Sequence, residues 1–115
     1  MLLRHMIRPQ LAAITMLILV AGAGCFDAEP HSLFSRHAPT KIPAIKQAVE
    51  EHDEKAEPEL VHDLDSDDPA VRFYAIEGLH RLTGETFGYL YYEDYTHRHK
   101  SVLKWRQWLN DQSHR

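Results

Sequence analysis

An uncharged stretch near the N-terminus and the single cysteine that follows it limit how much of this chain can fold. The range Pro9–Gly24 has 16 residues without a charge, preceded by Arg4 and Arg8 and followed by Cys25. A membrane-spanning helix needs about 20 apolar residues, so this layout predicts a secretory signal peptide over residues 1–24. The remaining 91 residues hold no cysteine pair for a disulfide. So short a chain must therefore be stabilised by one small core.

The residues that end this stretch, 21–25 (AGAGC), resemble the lipobox of bacterial lipoproteins. The resemblance implies that the Cys25 thiol is acylated, becomes the mature N-terminus and anchors a periplasm-facing protein in a membrane. The family usually has leucine where this chain has Gly22. In enterobacterial lipoproteins, an Asp directly after the cysteine favours retention in the inner membrane. This chain has Phe26 at that position, which favours the outer membrane. Two alternatives stay open, namely cleavage after Ala23 to give a secreted protein, and an uncleaved anchor.

The mature part is predicted to be a tether followed by one domain. Residues 25–40 are predicted to be the lipidated N-terminus and a linker, since they contain two prolines and no sustained apolar period. Residues 41–112 form the predicted domain, and residues 113–115 form a short tail.

Acidic side chains are concentrated in the first half of this domain. Between Glu50 and Asp68 there are ten carboxylates and one lysine. This distribution excludes the basic face that nucleic-acid binding requires. It predicts a solvated helix face and its turn, and the alternative is a patch that meets a basic partner or divalent cations.

Apolar residues recur at helical spacing in four segments, which predicts an all-α fold. Prolines 43 and 58 are expected in the first turns of the first two helices, because the N–H that proline lacks is not needed there. The third helix has the clearest ends, with Asp67 or Asp68 as N-cap, Pro69 in the first turn and Gly84 as the stop. The segments are 41–52 (Ile42, Ile45, Val49), 57–65 (Leu60, Val61, Leu64), 69–83 (Val71, Ala75, Leu79) and 96–111 (Val102, Trp105, Leu109).

The 23 residues Leu60–Leu82 (LVHDLDSDDPAVRFYAIEGLHRL) resemble a HEAT-type repeat. The resemblance implies two helices around an Asp-rich turn, an ion pair from Arg72 to Asp65 or Asp67, and a protein-binding or scaffolding role. About three stacked repeats are usually needed for the helices to bury their apolar faces. Only one is present, so we expect the helix that contains Trp105 to act as a cap.

The best candidate binding surface combines the second face of the third helix with the tyrosine-rich segment that follows it. Residues 85–95 are predicted to form an ordered aromatic loop. Tyrosine is favoured at protein contacts and also stacks on sugars, and the alternative is that these side chains form a small core. The candidate partner-binding residues are Phe73, Ile76, Tyr89, Tyr91 and Tyr92.

No residue is predicted to be catalytic, to hold a cofactor or to bind a metal. Catalytic serine, phosphate-loop and HExxH patterns are missing from the sequence. The favoured function is therefore a non-enzymatic, membrane-anchored module for an unidentified protein partner, without nucleic acid. The alternative is a small periplasmic enzyme or metal-handling protein that uses His97, His99 and the acidic segment 50–68.

Overall fold

The computed structural model describes residues 31–115, and this part of the chain is helical. It contains four α-helices and a short 3₁₀ turn at Glu54–Ala56, with no strand among these residues. The prediction of an all-α fold is confirmed. The predicted signal peptide, Cys25 and the first residues of the linker lie outside the described residues. The helices are α1 (Ala38–Glu50), α2 (Glu57–Asp63), α3 (Pro69–Thr83) and α4 (Tyr95–Ser113).

The ends of α3 agree with the local signals in the sequence. Asp68 is the N-cap, and its carboxylate accepts the backbone N–H of Ala70 at 2.8 Å. Gly84 follows the last helical residue with φ of 79°, in the left-handed region that glycine adopts without strain.

The first helix begins at Ala38, three residues before the start at residue 41 that the sequence predicted. Pro39 occupies the first turn, while Pro43 lies inside the helix. Either proline satisfies the local rule for a first turn. The backbone of Thr40 also accepts a hydrogen bond from Ser32 N–H at 3.4 Å, which connects the preceding segment to the helix.

The core lies where α2 and α3 pack together, with α1 against α3 and α4 against α2. Its largest fully buried side chains are Ile45, Leu60, Leu64, Leu79, Val102 and Trp105. Gly78 makes this packing possible, because a Cβ there would lie 3.0 Å from Val49 Cγ2 and 3.3 Å from Leu60 Cδ1. Within residues 31–115 no helix combines the length and the apolar character needed to cross a membrane.

The segment between α3 and α4 is an ordered non-helical loop, as predicted, and we call residues 85–94 the aromatic loop. Trp105 of α4 donates its indole N–H to the carbonyl of Thr86 at 3.2 Å and contacts the Phe87 ring edge-on. The Tyr89 hydroxyl donates to the carbonyl of Leu64 at 2.6 Å, at the end of α2. The loop is thus held by hydrogen bonds to both α2 and α4.

Candidate functional site

The structure divides the five predicted binding residues between the core and the surface. Ile76 is 6% exposed and Tyr89 is 3% exposed, so their assignment to a binding surface was wrong. The reason is that the aromatic loop packs against α3, and the Tyr89 hydroxyl is directed inward to the end of α2. Phe73 is 37% exposed, Tyr91 is half-buried and Tyr92 is 68% exposed, and these three remain candidates.

The surface candidates belong to a continuous series of edge-to-face aromatic contacts, which we call the aromatic row. Phe73 contacts Tyr74 and Tyr91 with ring centroids 5.2 Å apart in each pair, and Tyr91 contacts Tyr92 at 5.3 Å. Interplanar angles of 71–87° match the arrangement that the ring quadrupoles favour. The row therefore crosses from α3 to the aromatic loop as one surface of rigid rings.

Arg72 holds the two halves of this surface together. Its Nε donates to the carbonyl of Tyr91 at 3.0 Å, and its Nη1 donates to the carbonyls of Ser66 at 2.7 Å and Asp67 at 3.1 Å. The predicted ion pair with Asp65 or Asp67 was wrong, because backbone carbonyls take the guanidinium donors and Arg106 pairs with Asp65 at 2.8 Å. Bonds from a charged donor are stronger than neutral ones, so Arg72 fixes the loop to the turn before α3.

Two grooves flank Phe73. One lies between α1 and α3, has a volume of about 180 Å³, and is lined by apolar groups that include Ile45, Val49 and Gly78. The other lies between α3 and the aromatic loop, with a volume of about 310 Å³, and includes the 43% exposed Leu90. Both grooves present apolar surface to solvent, and charged residues of both signs also line the first one.

A buried ionic cluster lies apart from the aromatic row, where α1 meets α2. The Lys41 ammonium donates to Glu59 Oε1 at 3.0 Å and to Asp63 Oδ1. Lys41 is 6% exposed and Asp63 is 3% exposed. Burial raises the pKa of the Asp63 carboxyl, and the hydrogen bond from Lys41 acts in the opposite direction. We call Lys41, Glu59, His62 and Asp63 the Lys41 cluster.

The sequence analysis named no ligand residues at this cluster. It favoured a solvated face for the acidic segment 50–68, and its alternative of a patch for divalent cations paired that segment with His97 and His99 instead of His62. The spacing of Glu59, His62 and Asp63 was the available signal, since residues three and four apart share one side of a helix. Lys41 lies eighteen residues before Glu59, and no local pattern connects the two.

His97 and His99 do not form a common site. The Nδ1 of His97 lies 2.9 Å from Asp94 Oδ2 and 3.4 Å from Glu93 Oε2, at the start of α4. His99 instead stacks on the Tyr95 ring at 5.2 Å. Hydrogen bonds from the backbone and side chain of His97 lower the pKa of Asp94, as expected for a helix N-cap. The two imidazoles therefore serve separate local contacts.

No family model, curated protein or solved structure matches this chain. Its function has to be inferred from the sequence motifs and from two geometric features, the aromatic row and the Lys41 cluster. The first can bind apolar and aromatic groups. The second can bind a cation.

Proposed function

We propose that this chain is a lipid-anchored cell-envelope protein whose HEAT-like helical domain binds a protein partner through the aromatic row. The anchor would be an acylated Cys25, and the binding surface would comprise Phe73, Tyr91 and Tyr92. No catalytic step is part of this proposal.

The lipid anchor is supported by the N-terminal sequence. Arg4 and Arg8 precede an uncharged stretch that ends in small residues and in the only cysteine of the chain. Two or more acyl chains at one cysteine give stable membrane attachment, whereas one chain gives only marginal binding. Phe26 after the cysteine favours the outer membrane over the inner one.

The HEAT-like interpretation is supported by the arrangement of α2 and α3. These helices pack together on either side of the Asp-rich turn, and Asp68 caps the second of them. An unpaired repeat needs cover on its flanks. Here α1 packs against α3 and α4 packs against α2, with Trp105 fully buried, which is consistent with one repeat closed by neighbouring helices.

The observation that carries the binding role is the exposure of rings on a rigid support. Phe73 and Tyr92 are 37% and 68% exposed although a small domain has little apolar surface to leave uncovered. Rigid aromatic side chains lose little conformational entropy on binding and are enriched among the residues that dominate protein interfaces. The hydrogen bonds of Arg72 hold the row in shape before any partner arrives.

The anchor is tested by mass spectrometry of the full chain made in its own cells. We expect acyl mass on an N-terminal Cys25, and a Cys25→Ala chain should accumulate as an uncleaved or mislocalised form. A mature N-terminus at Gly24 without acyl mass would instead establish ordinary secretion.

The binding surface is tested by site-specific photo-crosslinking in the same cells. A photoreactive phenylalanine analogue at Tyr92 should cross-link one membrane-fraction protein, and Phe73→Ser should abolish this product. The melting temperature should fall only slightly, because Phe73 loses two ring contacts but lies outside the buried core. The control position is Tyr95, which is 59% exposed on α4 and outside the row. Equal products from both positions, or unfolding by Phe73→Ser, would contradict a binding surface at the row.

A further inference from the structure

We propose that Glu59, His62 and Asp63 form a binding site for a divalent transition-metal ion of the Zn²⁺ type, which competes with Lys41 for the two carboxylates. This inference does not depend on the membrane anchor or on a protein partner. It rests on the geometry of the Lys41 cluster and on unpartnered carboxylate oxygens in the same cleft.

The three proposed ligands are already gathered by one helix. Glu59, His62 and Asp63 each offer a ligand atom, and these atoms lie within 4.8 Å of one another. The Nδ1 of His62 is 3.8 Å from Glu59 Oε1 and 3.8 Å from Asp63 Oδ1. Tetrahedral Zn²⁺ with bonds of about 2.0–2.1 Å separates its ligand atoms by roughly 3.3 Å. The His62 side chain is 78% exposed and can therefore make the small adjustment that binding requires.

The second observation is that two buried carboxylate oxygens lack a hydrogen bond. Asp63 is 3% exposed, and its Oδ2 has no hydrogen-bond partner among residues 31–115. Asp65 lines the same cleft, and its Oδ1 is also buried without a hydrogen-bond partner in the part of the chain that the structure describes. The other oxygen of Asp63 faces Lys41, and the other oxygen of Asp65 faces Arg106 at 2.8 Å. A buried carboxylate oxygen without a donor of its own nevertheless destabilises a protein, and such oxygens are rare in native structures for that reason. An unpartnered acceptor on a proposed ligand points to a cation that the cleft can take.

Lys41 supplies only part of the compensating charge. Its single ammonium contacts both Glu59 and Asp63, so two carboxylates share one positive charge. The cleft has a volume of about 510 Å³ and is lined further by two carboxylates, Asp67 and Asp68, and by one more cation, Arg36. A divalent ion would neutralise both carboxylates and would gain the His62 nitrogen, which an ammonium group cannot use as a ligand.

The ligand types favour a transition metal over Mg²⁺ or Ca²⁺. Imidazole nitrogen suits Zn²⁺ and related ions, whereas Mg²⁺ and Ca²⁺ prefer shells made of oxygen alone. Three protein ligands also leave a coordination position of Zn²⁺ for water or another molecule.

The test is a zinc titration of the full chain, in which every variant carries Cys25→Ser so that no thiol binds the metal. Saturable binding of one Zn²⁺ per chain is expected, with an affinity at least tenfold lower in His62→Ala. The matched control is His97→Ala, because His97 also lies beside two carboxylates but on another helix. It should bind zinc as the parent chain does, and Mg²⁺ at the same concentration should not compete. Absence of saturable binding, or a loss caused by His97→Ala instead, would overturn the proposal and leave a structural ion pair only.

Competition with Lys41 is tested separately by thermal unfolding of Lys41→Met. This substitution leaves two carboxylates without their cation, so the melting temperature should fall in the absence of metal. Zinc should then raise the melting temperature more than it does in the parent chain. An equal or smaller rise would refute the competition. If Lys41→Met fails to fold even with zinc, competition is likewise refuted, because the metal should replace the missing charge.

Discussion

Replacing Gly78 with alanine tests how closely α1 and α2 approach α3. The new Cβ would lie 3.0 Å from Val49 Cγ2, 3.3 Å from Leu60 Cδ1 and 3.6 Å from Ile45 Cγ2. The first two of these distances are shorter than most Cβ contacts in proteins, so the neighbouring methyl groups must move by a few tenths of an ångström. All three neighbours are methyl groups of buried, branched side chains, which cannot rotate away as the end of a lysine can.

Two opposing effects determine how much Gly78→Ala changes the free energy of unfolding. Alanine is favoured over glycine inside a helix by about 1 kcal/mol. Inserting a methyl group into a well-packed core costs about 1–3 kcal/mol. The difference predicts that Gly78→Ala lowers the free energy of unfolding by about 0–2 kcal/mol, a large share of the stability of so small a domain.

The assay is urea unfolding followed by the fluorescence of buried Trp105, in a double-mutant cycle with Val49→Ala. Removing the Val49 methyl groups makes room for the new Cβ, so Gly78→Ala should be about 1 kcal/mol less destabilising, or even stabilising, in that background. If Gly78→Ala stabilised the original protein by about 1 kcal/mol, as at an open helix position, the close approach of α1 to α3 would be refuted.

Three further predictions concern side chains with defined partners. Burial raises the pKa of Tyr89 from 10.0 to about 12. Just above pH 10 only the unfolded chain releases this proton, which favours unfolding. The free energy of unfolding should therefore fall by about 2–3 kcal/mol as pH rises from 10 to about 12. Tyr89→Phe should remove that part of the pH dependence of urea unfolding. Leu79→Ala should lower the free energy of unfolding by about 2–5 kcal/mol, because this side chain is fully buried. Most molecules should then be unfolded, which circular dichroism would measure as a loss of helix signal. Asp68→Ala should lower the free energy of unfolding by about 1 kcal/mol in the same urea assay, because Asp68 is the residue that caps α3. The control Asp67→Ala should change it little, and equal losses from the two substitutions would contradict the assigned cap.

The two proposed sites lie on different parts of the same small domain. The aromatic row presents apolar rings on α3 and the aromatic loop, while the Lys41 cluster lies between α1 and α2. Substitutions at Phe73 and His62 therefore separate partner binding from metal binding. Neither residue belongs to the buried core cluster, so each can be replaced without opening the core.

The sequence predicted the helices well where the signals were local. Asp68, Pro69 and Gly84 define α3 through hydrogen bonds and backbone angles that involve only neighbouring residues. The start of α1 was misplaced because Pro39 and Pro43 both satisfy the rule for a first turn. No local pattern distinguishes them, and the preceding segment packs back along the helix through Ser32.

The binding surface was predicted only in part. Phe73 and Ile76 both lie off the main apolar stripe of α3, and the sequence could not tell which of them is covered. The aromatic loop decides this, because it buries Ile76 and leaves Phe73 at the edge. Within the loop, Tyr89 is directed inward by its hydrogen bond to Leu64, a residue 25 positions earlier.

The sequence by itself determined the helical class, the Asp-rich turn and the stop at Gly84, since caps, prolines and apolar periodicity act over a few residues. Tertiary structure alone decided the distant partners of Arg72 and Lys41. Arg72 bonds to the carbonyl of Tyr91, 19 residues away, rather than to an acidic side chain nearby. Lys41 reaches Asp63 across 22 residues. Such pairings depend on how helices pack, because a long side chain binds whichever acceptor the packing brings within its reach.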